Sequence, residues 1–337
     1  MSGPDRRPGR AGPRLLVTQR AQAVFLERAR VHADQGRVLY RTADDDLRKE
    51  YAIPHANLSL LFLGQGTSLS QEASRLLAAE GVFVSFTGSG GSPLHFGGLT
   101  TYSGTTHFRR MLTAYANADE SLAMAKAFMQ VRIAQMRKKG CKLADTLCDI
   151  DDDKPIKKAC SKFEERVDAA KDIPALLGHE GDYTKSLYAA FAKGSGLSRK
   201  ADFKRTAGAG GGSISHGSNV AGVANSLIDH GNYLAYGFAG AALWAMGVPP
   251  HMPVFHGKTR PGGLVFDLAD TFKEAYVLPI AFAAAIGRLK GDLAKTFRAR
   301  LMDEFSRDGV LAAAISTLEA SLPADRLGDH VNPGAVQ

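Results

Sequence analysis

Cysteine is scarce in this chain. Its three residues, Cys141, Cys148 and Cys160, cannot form an even disulfide framework, and their spacing matches no CxxC zinc pattern. They read as unpaired thiols of a protein from a reducing compartment. Long apolar runs are missing too. The two longest, 233–248 and 275–286, fall short of the roughly twenty residues that a bilayer span requires, and Gly or Pro interrupts each. Both read as buried core helices, which argues against a membrane protein. Residues 1–14, MSGPDRRPGRAGPR, are rich in Pro, Gly and Arg and lack the apolar region of a secretory leader. They are expected to form a disordered basic tail able to touch nucleic acid nonspecifically, and the protein is expected in the cytoplasm.

Several catalytic signatures are absent as well. Without a GxSxG nucleophile elbow there is no case for covalent serine catalysis. The run HGKT at 256–259 is no phosphate loop, because Met252 stands where the first glycine of GxxxxGK[ST] belongs. Gly64-Gln65-Gly66 follows the apolar LSLLFL, but Leu69 replaces the third glycine of a dinucleotide fingerprint. Asp149, Asp151, Asp152 and Asp153 lack the glycine and terminal glutamate of a calcium loop, and read as a solvated charge run.

What is present is an ordinary globular composition, 45% hydrophobic and 23% charged, over 337 residues, enough for two domains. A net charge of +8 makes polyanions plausible partners. Residues 15–100 carry short strand-like segments (37–41, 58–63, 82–86) between Gly, Pro and Asn signals. One helix is expected among them, over 69–80, with a capping box from Ser68 to Gln71 and Gly81 past its end. The turn-rich stretch 88–104 marks a hinge, with a linker over 101–110. From 111 to 325 the pattern turns helical: one long helix or a pair over 111–139, a polar insertion over 138–162, a glycine-rich loop at 208–212, a helix capped by Asp229 or Asn232, and the last helices over 264–320. Residues 326–337 look irregular. The class is α+β, a small β-rich domain before a larger all-α one.

The densest chemistry lies at 256–274, HGKTRPGGLVFDLADTFKE. If a helix begins near Leu264, then Val265, Leu268, Ala269, Phe272 and Tyr276 form an apolar stripe, and Asp267, Asp270 and Glu274 share the opposite face. Spacing alone leaves that face open to a second reading, a solvated acidic surface. His256 just ahead of the turn adds an imidazole to the oxygens, a set acceptable to magnesium and better for manganese. Lys258, Arg260 and Lys273 are the cations a phosphodiester near such a metal would need. A metal-dependent enzyme acting on nucleic acid is the first hypothesis, and it needs a further ligand. The competing classes are a non-catalytic DNA-binding scaffold and a dinucleotide-binding enzyme built on Gly64–Gly66.

Taken together, His256, the FDLAD pair and the segment IDHGNYLAYG resemble the CRISPR-associated integrase of spacer acquisition, and most of all its type I-F branch. YAIPHANLSLLFLGQGTSLSQEASRLLAAEGVFVSFTGSGGSPLH is similar to that branch's β domain, so the resemblance spans nearly the whole chain. It implies a metal site of glutamate, histidine and aspartate: His256, Asp270 with Asp267 as an accompanying acid, and Glu180, which EGDYTKSLY nominates by matching E-x-x-x-[ST]-K-x-L-[FY]. It also implies Mg²⁺ or Mn²⁺, transesterification of duplex 3′-hydroxyls into a CRISPR repeat, and Lys258, Arg260, Lys273 and Tyr236 near the DNA, with Phe266 as another aromatic beside the site. The β-rich domain would mediate a homodimer. Further implied partners are double-stranded DNA (prespacer and repeat), a second small CRISPR-associated protein fused to the helicase-nuclease, and a DNA-bending host factor. A transposon-type integrase or structure-specific nuclease of the same fold is the alternative within the class.

Overall fold

Strand β5 (Leu58–Leu63), reading LSLLFL, is buried at all six positions. A strand this apolar needs cover on both faces, and the fold provides it. Its Leu61 and Leu63 pack with Val31, Val38, Ile53, Ala73 and Leu77 in the core of the N-terminal region. The alternate residues, Leu60 and Phe62, enter the core of the helical region instead. One strand thereby belongs to two cores. The computed structural model describes residues 21–42, 49–87, 93–97, 104–150, 152–197, 203–206, 219–257 and 262–326.

The N-terminal region pairs β5 in parallel with β1 (Ala21–Leu26) and with β7 (Phe83–Thr87), which in turn takes β8 (Pro93–Gly97) antiparallel. A second sheet orders β4 (Tyr51–Ile53), β3 (Arg37–Thr42), β2 (Ala29–Asp34) and β6 (Ser68–Leu69). Between β6 and β7 runs α1 (Gln71–Ala79), the helix expected over 69–80. Its cap differs from expectation. Ser68 is spent on pairing with Arg30 in the second sheet, and Ser70 Oγ accepts the Ala73 N–H at 3.2 Å instead. Gly81 does adopt φ +68°, the left-handed turn that ends this helix without a Cβ penalty.

Helices α2 (Thr106–Ala116) and α3 (Ala118–Gln135) follow, so the 111–139 segment is a pair. The polar insertion over 138–162 turns out helical. A π-helical turn at Met136–Gly140 leads into α4 (Cys141–Cys148), and α5 (Lys154–Ala169) begins just past Asp153. Composition hid this because Cys141, Leu143, Ala144 and Cys148 bury one face of α4 while Lys142 stays outside. The remaining helices are α6 (Ile173–Gly194), α7 (Val220–Ala245), α8 (Gly263–Asp270), α9 (Lys273–Ala285), α10 (Leu293–Arg307) and α11 (Val310–Ser321).

Helix α7 starts ten or thirteen positions earlier than a cap at Asp229 or Asn232 would place it, with its cap at Asn219. Asn219 Oδ1 caps it by accepting the Gly222 N–H at 2.7 Å, and Asp229 and Asn232 lie in its interior. Gly237 admits strand β5 against α7, since a Cβ there would overlap the Phe62 ring. Phe62 then stacks toward Phe238 at 6.1 Å, and Phe83 meets Trp244 at 5.4 Å. These aromatic contacts fasten the sheet to α7. Among the described residues no helix is long and apolar enough to cross a membrane. The tail 1–14, the loop 208–212, Lys258 and Arg260 lie outside the described residues, as does most of 88–104.

Candidate active site

The expected single helix over 264–276 is in fact two. Gly262, at φ +68°, opens α8, and the chain breaks at Thr271 and Phe272 before α9 resumes. Thr271 Oγ1 donates to the Leu268 carbonyl at 2.6 Å and helps close the first helix. The break turns the acidic face inward. Asp267, Asp270 and Glu274 are 0%, 1% and 4% exposed, so the solvated-surface reading fails. Burying carboxylates is costly unless hydrogen bonds and cations compensate, and here each is compensated in a different way.

Asp267 is compensated by backbone. Its Oδ2 accepts the N–H groups of Val254 (2.8 Å) and Phe255 (3.0 Å), and its Oδ1 accepts the His256 N–H (3.0 Å). The same Oδ1 lies 2.7 Å from His256 Nδ1. An ionised carboxylate only accepts, so Nδ1 carries the proton and Nε2 keeps its lone pair while the ring is neutral. Gly263 lets this loop settle on the helix, because a Cβ there would lie 2.6 Å from the Pro253 ring. Burial alone would pull the His256 pKa down. The Asp267 bond and the charges of Asp270 and Asp267 outweigh burial and raise it above the ordinary value.

Asp270 is compensated by side chains. Its Oδ1 pairs with Lys273, and its Oδ2 stands 3.4 Å from His256 Nε2 and 3.9 Å from Arg132 Nη1. Burial pushes this carboxyl up, but Lys273, His256 and Arg132 together hold it below the usual range. Lys273 itself is disfavoured by burial, yet Asp270 keeps its ammonium well above the ordinary lysine value. Its Nζ also sits 5.6 Å over the Tyr236 ring, which meets Phe266 edge-on at 4.7 Å. Lys273 and Tyr236, nominated for DNA, thus form one wall of the centre, with the lysine committed to Asp270.

Glu180 comes from α6, whose first turn is fixed by Asp172 Oδ1 accepting the Ala175 N–H at 2.8 Å and by a proline in that turn. Its Oε1 accepts from Arg132 Nη2 and from Thr184 Oγ1, both at 2.8 Å. Arg132 is only 2% exposed; its Nε donates to Glu274 Oε2 at 2.5 Å and its Nη2 also donates to Glu274 Oε1. Sequence reasoning missed Arg132. A signal existed: Ala125, Phe128, Met129, Arg132 and Met136 follow the i, i+3, i+4, i+7, i+11 stripe, all buried, so an arginine occupies a core position.

The structure therefore brings Glu180, His256, Asp267, Asp270, Lys273 and Tyr236 together. In three of them one polar atom is pinned by a hydrogen bond while another, open to a cation, makes none: Glu180 Oε2, and the pair His256 Nε2 and Asp270 Oδ2, which face each other at 3.4 Å. Four carboxylates face two permanent cations, Arg132 and Lys273, so with a neutral imidazole and every acid ionised the cluster has an excess of two negative charges (four less two). Among the described residues no group of three or more His, Cys, Asp or Glu side chains is close enough as it stands to hold a metal ion. The donor set nonetheless suits a hard divalent cation: two carboxylate oxygens and an imidazole nitrogen, with a carboxylate behind the imidazole.

A β-rich region followed by a helical one that buries an acid-and-imidazole centre defines an α+β protein with one polar centre where α3, α6, α8 and α9 meet. The chain belongs to the family of CRISPR associated protein Cas1, whose model matches residues 23–311. A CRISPR-associated endonuclease Cas1 from Pectobacterium atrosepticum is 33% identical over 318 residues, covering 90% of this chain and 93% of that protein. Another from Pseudomonas aeruginosa is also 33% identical, over 90% of this chain and 94% of its own length. Among solved structures, a casposase bound to integration product superposes with a TM-score of 0.64 at 15% identity, covering 94% of this chain and 96% of that one. At that identity the likeness is one of fold.

Proposed function

We propose that this chain is a DNA endonuclease and integrase of CRISPR adaptation, joining the 3′-hydroxyl ends of short DNA duplexes to a CRISPR repeat by transesterification. The observation that carries the reading is the set of three open atoms, Glu180 Oε2, His256 Nε2 and Asp270 Oδ2, in a buried cluster with excess negative charge. Family membership supports the nuclease and integrase chemistry. Assignment to the type I-F branch rests on the motif resemblance.

Glu180, His256 and Asp270 would hold Mg²⁺ or Mn²⁺, and such an ion supplies Lewis-acid polarisation of the scissile phosphoryl oxygen. The protein's own groups do the rest. Asp267 fixes the tautomer and angle of His256 through four contacts, three of them to backbone. Lys273 balances Asp270 and stands where a phosphate oxygen would approach. Lys258 and Arg260, two and four positions after His256 in the sequence, would hold the scissile strand, as the resemblance implies, with Tyr236 on the same wall as Lys273. Partner binding follows the resemblance: a homodimer through the β-rich region at 15–100, with the catalytic helical region at 111–325 reaching duplex DNA. The second small CRISPR-associated protein, fused to the helicase-nuclease, completes the assembly, with a DNA-bending host factor, in the cytoplasm.

The test is an integration assay with a labelled duplex, a repeat-bearing plasmid and the small partner protein. Staggered joining at the repeat border that requires divalent metal supports the reading. Joining at transposon ends instead would move the protein to the transposon-type alternative. Metal-independent DNA binding without any joining or cleavage would make it a scaffold.

A further inference from the structure

We propose that Arg132, anchored by Glu274, is a positioning residue that holds the Glu180 carboxyl in the active centre, so that Glu274 acts at second hand and not as a ligand. This rests on the reading of Glu180 as one of the metal-holding groups. A buried Arg–Glu pair is by itself weak grounds for any role, since apolar residues of similar volume often replace one without loss. Three observations go further here.

First, the guanidinium is divided among helices. It comes from α3 and meets Glu274 of α9, Glu180 of α6 and Asp270 of α8. Second, the division is unequal. Glu274 uses both oxygens on Arg132, which fixes the fork in its plane, and a planar guanidinium transmits that orientation to its remaining donors. Nη2 then reaches Glu180 Oε1 at 2.8 Å, while Nη1 turns to Met129 Sδ at 3.6 Å and to Asp270 Oδ2 at 3.9 Å. Third, exposure grades across the chain of contacts: Arg132 is 2% and Glu274 4% exposed at the side chain, Glu180 19%. The anchored end is sealed and the positioned end is the one nearest solvent. Thr184 adds a second donor to the same Oε1, so both contacts select that oxygen and leave Oε2 to the centre.

A charge effect and a positioning effect separate cleanly. Replacing Arg132→Met together with Glu274→Leu removes one positive and one negative charge, so the net charge of the centre does not change. Manganese binding to the full chain without DNA, followed by the EPR signal of free Mn²⁺, is the readout. Glu180→Ala should weaken Mn²⁺ binding about tenfold or more, and the Arg132→Met/Glu274→Leu protein should weaken it by a comparable factor. Adding Glu180→Ala to that pair should then cost nothing further, the coupling expected of groups that act as a unit. Arg132→Lys restores the charge without the fork, and should stay weak in Mn²⁺ binding with an unchanged melting temperature. If the pair variant does not fold, the lysine variant carries the test alone. Wild-type Mn²⁺ affinity in either variant overturns the proposal, as does a Glu180→Ala loss of equal size in both backgrounds. Should Glu180→Ala leave wild-type affinity untouched, the ligand set itself is wrong, and the positioning role falls with it.

Discussion

Two buried ionic clusters sit in the helical region, and they differ in balance. Around Glu304, which is 0% exposed, Lys139 pairs with Oε2 at 2.6 Å while Arg300 and Arg307 take Oε1 at 2.8 and 2.9 Å. Asp308 joins through Lys139 at 2.6 Å and the Tyr276 hydroxyl at 2.9 Å. Three cations there meet two carboxylates, an excess of one positive charge (three less two), and both Glu304 oxygens are committed. Around His256 and Asp270, with the imidazole neutral and the acids ionised, the excess is two negative charges, and three atoms make no hydrogen bond. Burial of charge is common to both. What marks a place for a cation is the combination of surplus negative charge and uncommitted acceptors.

The largest effect that would sharpen this contrast falls on chemistry. Asp270→Ala or His256→Ala should lower strand transfer by at least ~10³-fold, because several kcal/mol of transition-state stabilisation are lost. Duplex DNA affinity, measured by fluorescence anisotropy, should stay nearly unchanged, since phosphate contacts spread over the surface dominate it. Strand transfer surviving in either purified mutant would dissolve the distinction between the two clusters. Glu304→Ala should do the converse. Removing it leaves Lys139 with one partner of two, at a cost of about 3–5 kcal/mol in a denaturant titration. Strand transfer by the molecules that remain folded should match the wild type.

Asp267→Asn should come next in size. An amide cannot accept all four contacts, and its NH₂ would face either the N–H groups of Val254 and Phe255 or the N–H and Nδ1 of His256. Strand transfer should drop about 10–100-fold with Mn²⁺ affinity falling in step, as for other carboxylates behind a ligating imidazole. A drop in kcat without any change in metal affinity would assign Asp267 a different task.

The uneven legibility of these clusters has physical causes. Strand β5 announced itself as five apolar residues among six, and α8 through the glycines ahead of it. Glu180 was legible only by resemblance, because a lone acid on a helix has no local signature. The break at Thr271 was invisible: nothing in FDLADTFKEAYV interrupts a helical period, and tertiary packing of Phe272 at 5% exposure imposes it. Arg132 and Glu304 show the common difficulty. The carboxylates on Arg132 lie 48 and 142 positions away, and Glu304 shares a window with Arg300 and Arg307 but not with Lys139, 165 positions off. Only an arginine standing in an apolar stripe hinted at one of them.

The smallest predicted effect separates Glu304 from His256 by the sign of their pH dependence. At Glu304, burial pushes the carboxyl up, but Lys139, Arg300 and Arg307 bring it below its ordinary value of 4.5. A lowered folded pKa contributes stability that is present above the ordinary value and lost as pH falls through the folded one. His256 is the opposite case. Its folded pKa is raised above 6.5, so its contribution is complete below 6.5 and disappears as pH climbs through the raised value. Stability measured against pH should therefore slope down on both sides. Glu304→Gln should reduce the slope of the acid limb, to which Asp270 also contributes, and His256→Ala should flatten the limb above 6.5. Strand transfer must run against the second limb, since a protonated Nε2 has no lone pair to offer a metal and activity rises as that proton leaves. A His256→Ala protein that kept the wild-type slope above 6.5 would show that the imidazole is not held by Asp267 in solution.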